Sequence, residues 1–83
     1  MQNTERDRFK KLRSELPFNY ATILFQHYRR KNMKISKSLI YKVAYGERIN
    51  AIVFEDLLQL AIEHQRFLKR YRQFDKRLRT SKL

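Results

Sequence analysis

The residues best suited to recognition chemistry lie between Ile35 and Asn50, in the stretch ISKSLIYKVAYGERIN. Ser36, Lys37, Ser38, Tyr41 and Lys42 supply hydroxyl and ammonium groups spaced to fall mostly on one side of a helix. Ile35, Leu39, Ile40 and Val43 fall on the other side. Such a face donates hydrogen bonds, accepts them and attracts anions. It holds no nucleophile beside a base and no paired acids, so its chemistry is binding.

The remaining residues offer no reaction centre. Without cysteine the chain has no disulfide, thiolate metal site or thiol nucleophile. His27 and His64 fit no local metal-binding spacing, and the carboxylates are scattered. Glu55 and Asp56 are adjacent, so a helix would point them in different directions. No glycine-rich loop could cradle a phosphate. The expectation is a protein that is not an enzyme and needs no metal or cofactor.

Charge narrows the partners. Lys and Arg number 20 against 8 acids, a formal charge of +12, which predicts attraction to a polyanion. No apolar run approaches the ~20 residues needed to cross a bilayer. The N-terminal MQNTERDRFKK lacks an apolar signal core. These features predict a cytoplasmic, nucleoid-associated location with no membrane contact.

With 83 residues there is room for one domain, and a core this small benefits from oligomerisation. One Gly and one Pro leave few places to turn, which favours helices with short connections over a sheet. Phe9, Leu12 and Leu16 place a first helix over 5–16, with Thr4 as its N-cap and Pro17 ending it. Asn19 starts a second, from Tyr20 to about Arg30. The run RRKNMK, Arg29–Lys34, breaks the period, and its second half reads as a turn. Ser36 then caps a third helix, which Gly46 stops. Asn50, supported by Glu55 and Asp56, caps a long last helix from Ala51 to about Arg79. The predicted fold is all-α, with four to five helices. An N-terminal helix (1–18) precedes a helix-turn-helix (19–50) and a long basic C-terminal helix (51–83).

In that last helix Val53, Leu57, Leu60, His64, Phe67, Tyr71, Phe74 and Leu78 follow a 4-3 spacing, the seam of a coiled coil. Ile52, Phe54, Leu58 and Ala61 broaden the apolar surface of its first half, which predicts that the domain wraps it. The second half is a bare seam among cations. Leu60, His64, Phe67, Tyr71, Phe74 and Leu78 are the residues expected to pair two chains as a homodimer. The chain's own first helix is the other candidate to cover the seam.

Around Ile35-Ser36, Ile40, Lys42, Val43, Gly46, Arg48 and Asn50, preceded by Leu16-Pro17 and Tyr20-Ala21, the chain resembles the small phage-repressor-like (Cro-like) helix-turn-helix regulators. The resemblance covers about residues 16–62. Two departures stand out. Phe25 sits near where that family keeps a small residue, and Arg29–Lys34 is longer than its usual tight turn.

The resemblance implies a sequence-specific double-stranded DNA-binding regulator, repressor-like, with the third helix in a major groove. Ser36, Lys37, Ser38, Tyr41 and Lys42 would then read bases, with Ser36 better placed as a cap than as a reader. Arg29, Arg30, Lys31, Lys34, Tyr45, Arg48 and Asn50 would hold phosphates, Asn50 equally well as a cap alone. Two other readings stay open. One is an antitoxin-like or inhibitor module that binds a protein partner through the C-terminal helix. The other is a basic RNA-binding protein.

Overall fold

A computed structural model describes the backbone of residues 3–81 and the side chains of residues 7–76. The described residues form four helices and no strand: α1 (Asn3–Glu15), α2 (Tyr20–Arg30), α3 (Lys37–Ala44) and α4 (Ala51–Ser81). The upper count of five helices is therefore not reached. Helix α1 starts at Asn3, so Thr4 lies within it rather than capping it, and its side chain is outside the described residues.

The chain turns where local chemistry permits. Pro17 separates α1 from α2, and its carbonyl accepts from the Tyr20 N–H at 3.1 Å. Asn19 holds the N-cap position of α2, where its start signal places it, although its side chain makes no capping hydrogen bond. Helix α2 runs through Arg29 and Arg30 and closes in a Schellman motif. The Met33 N–H donates to the Tyr28 carbonyl at 2.8 Å, and the Asn32 N–H to the Arg29 carbonyl at 3.1 Å. Asn32 takes the left-handed conformation this requires, with φ 57°, which asparagine tolerates better than most residues.

Helix α3 is fixed at both ends. The Ser36 Oγ accepts from the Leu39 N–H at 3.2 Å. At the far end Gly46 has φ 77°, and the Glu47 N–H donates to the Lys42 carbonyl at 2.8 Å, a second Schellman closure. A Cβ on Gly46 would lie 2.8 Å from Cδ2 of Phe9, so close approach as well as backbone angle calls for glycine. Asn50 Oδ1 accepts from the Val53 N–H at 3.1 Å and starts α4. No acid stands in the first turn of α4, so Glu55 and Asp56 do not support that cap.

The core draws on every helix. Leu12 comes from α1 and Leu16 from the bend just after it; Tyr20, Ala21, Leu24 and Tyr28 come from α2, Ile40, Val43 and Ala44 from α3, and Val53, Leu57 and Ala61 from α4. Each fully buried large aliphatic side chain here stabilises the fold by about 1.5–3 kcal/mol. The Tyr28 ring is buried and its hydroxyl donates to Asp56 Oδ2 at 2.6 Å, fastening α2 to α4. Asp56 therefore satisfies a buried phenol instead of a helix end. Burial, then the hydrogen bond to Asp56 and its charge, pushes the Tyr28 phenol well above its usual range.

Helices α1 and α4 ascend in the same sense. Phe9 meets Phe54 with ring centroids 6.2 Å apart, and Gln65 Nε2 donates to the Glu15 carbonyl at 3.0 Å. The domain covers α4 from one side only. Ala61 is buried, but Ile52, Phe54, Leu58 and Ile62 are 37–56% exposed, which corrects the expectation that the first half is wrapped. Their apolarity marks a preference for burial that the three shorter helices cannot meet on every side. On the seam, Leu60 and His64 are half-buried by the chain itself, whereas Phe67, Tyr71 and Phe74 are exposed. The Leu78 side chain is outside the described residues.

Candidate nucleic-acid interface

Helix α3 has eight residues, too few to be helical alone in water. It is held from behind by Ile40, Val43 and Ala44, each 1% exposed or less. Half-buried Ile35 and Leu39 pack against the same core, as does Met33 from the preceding turn. With those residues turned inward, Lys37, Ser38, Tyr41 and Lys42 are left exposed along the front, as their spacing predicts. Ser36 is exposed as well, but its oxygen is engaged as the N-cap, so the cap is the role its geometry supports.

Neighbouring rings steady the front face. Tyr41 meets buried Tyr20 edge-on, with centroids 5.6 Å apart. Lys37 Nζ lies 5.8 Å from the centroid of Phe25. Phe25 is half-buried against the core, so the bulky residue in the middle of α2 both fills space and underlies a cation of α3.

The cations expected at phosphates flank this helix in sequence. Arg29 and Arg30 end α2, Lys31 is its C-cap, Lys34 lies in the connection and Arg48 in the exit, all of them exposed. Two other members of that set are occupied. Asn50 spends its oxygen on the Val53 N–H, so it acts as a cap. Tyr45 lies under the Arg13 guanidinium, whose carbon is 4.0 Å from the ring centroid.

Arg13 is the site residue that periodicity does not reveal. On α1 it falls off the apolar stripe of Phe9, Leu12 and Leu16. In the fold it donates from Nη1 to the Ala44 carbonyl at 3.1 Å, at the negative end of the α3 dipole. Its partner is 31 positions away, and no local pattern announces such a contact. Arg13, Tyr20, Tyr41 and Tyr45 thus form one cluster at the C-terminal end of α3. Burial raises the Tyr20 phenol, nearby Tyr45 and Tyr41 add to the rise, and Arg13 opposes it.

Among the described residues no group of three or more His, Asp or Glu is placed to hold a metal ion. Nor is any helix among them long and apolar enough to cross a membrane. Compared with known protein families, curated proteins and solved structures, the chain matches none.

Proposed function

We propose that this protein binds double-stranded DNA in a sequence-specific way and regulates transcription, with α2 and α3 acting as a helix-turn-helix. The observation that carries the reading is α3 itself. It is a short helix with an apolar back locked into the core, both ends closed, and a polar cationic front left open. Lys37, Ser38, Tyr41 and Lys42 are the base readers. Lysine donates to guanine O6 and N7, and the hydroxyls suit several base edges. Arg29, Arg30, Lys31, Lys34 and Arg48 neutralise phosphates and set the register without reading sequence. Arg13 and Tyr45 brace the far end of the reading helix. Two copies would present two α3 helices to successive major grooves of a pseudo-palindromic site.

Selection from random duplexes followed by affinity measurement tests this reading. The expected result is an enriched motif bound at least a thousandfold more tightly than unrelated duplex, the usual lower range of specific over non-specific binding. Equal affinity for every duplex would overturn it.

One observation favours a second reading. Phe67, Tyr71 and Phe74 stand exposed beyond the core, among Arg66, Lys69, Arg70 and Arg72. Such a surface suits a protein partner or RNA, as an interaction module or a basic RNA-binding protein would need. Competition between duplex DNA and structured RNA, with pull-downs from cell extract, separates these from the first reading.

A further inference from the structure

We infer that two copies of this chain pair through the open face of α4 formed by Phe54, Leu58 and Ile62, antiparallel about an axis at Leu58. The inference rests on the DNA-binding reading for its purpose, and deepens it by naming the surface that sets the spacing of the two α3 helices.

Three observations support it. The first is the face itself. Phe54, Leu58 and Ile62 are 37%, 40% and 47% exposed and recur every four residues, the ridge that packs against another helix. At its N-terminal end the face opens into a groove between α1 and α4, where Phe9, Leu12, Ile49, Phe54 and Leu58 supply the apolar lining and Arg8 and Arg48 also border it. Ile49 is fully exposed at its rim. The second is symmetry. In an antiparallel pair centred on Leu58, Phe54 of one copy meets Ile62 of the other, and Leu58 meets Leu58, so one stripe complements itself.

The third observation is charge. Between Ile49 and Gln65 there is no Lys or Arg and there are three acids, Glu55, Asp56 and Glu63. Beyond Gln65 the chain carries Arg66, Lys69, Arg70, Arg72, Lys76, Arg77, Arg79 and Lys82 against Asp75 alone. A parallel pair would set these two basic halves side by side, about 8–10 Å apart. An antiparallel pair centred on Tyr71 would bring Arg70 level with Arg72 of the other copy. Centring on Leu58 sends the basic halves to opposite ends. The two Arg66 residues then sit 16 helical steps apart, about 24 Å, well beyond the ~8 Å screening length at physiological salt. The contact is small for a permanent interface, so the pair is weak alone and strengthens when two half-sites hold it.

The absence of cysteine makes the test direct. Single variants L58C and Y71C, both at exposed positions, are oxidised without DNA, and sedimentation is followed across a concentration series for wild type and for I62R. Circular dichroism checks that each variant is folded. The inference expects a disulfide-linked dimer from L58C and not from Y71C, and at least a tenfold weaker self-association for I62R. Cross-linking of Y71C but not L58C overturns it, as does a wild-type chain that stays monomeric both free and on a selected duplex. Because the cross-link is read without DNA, its success alongside a failed duplex selection would retain the pairing and remove the DNA reading.

Discussion

Gly46 and Asn32 both sit at positive φ, at the ends of consecutive helices, yet they answer to different constraints. Asn32 lies on an exposed turn, so Asn32→Gly should leave stability within a few tenths of a kcal/mol. Gly46 has the Phe9 ring against it, so Gly46→Ala adds a steric conflict to backbone strain and should cost about 1–3 kcal/mol. Urea unfolding of the two variants measures the contrast. A second prediction concerns Tyr28. Its phenol is raised above the ordinary value of 10.0, so its stabilising effect is complete below that pH and is lost as pH climbs toward the higher folded value. Tyr20 shifts in the same direction and adds to the loss. Stability should therefore fall above pH about 10. Tyr28→Phe should lessen that alkaline fall while costing about 1 kcal/mol at neutral pH, because Asp56 loses its donor. Unfolding titrations at several pH values check both effects.

At the scale of elements, the bounds of α3 and the start of α4 were legible because their signals are local. Ser36, Gly46 and Asn50 each act on a backbone group within a few positions. Contacts that cross the fold were not legible. Tyr28 reaches Asp56 across 28 positions and Arg13 reaches Ala44 across 31, and both carry polar groups that periodicity assigns to no partner. The exposed front of α3 was readable from spacing because its inward residues had no other place to go. The open face of α4 was misread because apolar residues declare a preference, while the number of neighbouring helices decides whether it is met. The division of labour around α3 gives a paired prediction. Lys37→Ala should relax base choice by about 1–3 kcal/mol at one position of the selected site. Arg30→Ala should weaken all duplexes alike and reduce the slope of log affinity against log salt by about one. Binding to a panel of point-mutated sites at several salt concentrations resolves the two.

For the whole molecule, the radius of gyration is 16.0 Å, against about 12 Å for a compact domain of this length. The excess reflects α4, whose buried positions among the described side chains end at Ala61 although the helix continues to Ser81. Removing residues 72–83 should therefore leave the unfolding midpoint within a few degrees. It removes five cations and one acid, Arg72, Lys76, Arg77, Arg79 and Lys82 against Asp75. Non-specific duplex affinity at low salt should fall severalfold, with a shallower salt slope. A thermal melt and a salt titration of the shortened chain test the two halves of this expectation.

The two ends of α4 share one unbroken helix but not one source of order. Around Val53, Leu57 and Ala61 the helical hydrogen bonds break only when the core opens, whereas over residues 71–76, the last whose side chains are described, no core residue resists their opening. Amide hydrogens should exchange with solvent accordingly. Those near Leu57 should exchange at the rate of global unfolding, and those of residues 70–76 orders of magnitude faster, with the change setting in after Gln65, where the Glu15 carbonyl marks the end of α1. A bound partner on the outer half would appear as a slowing of that faster set alone.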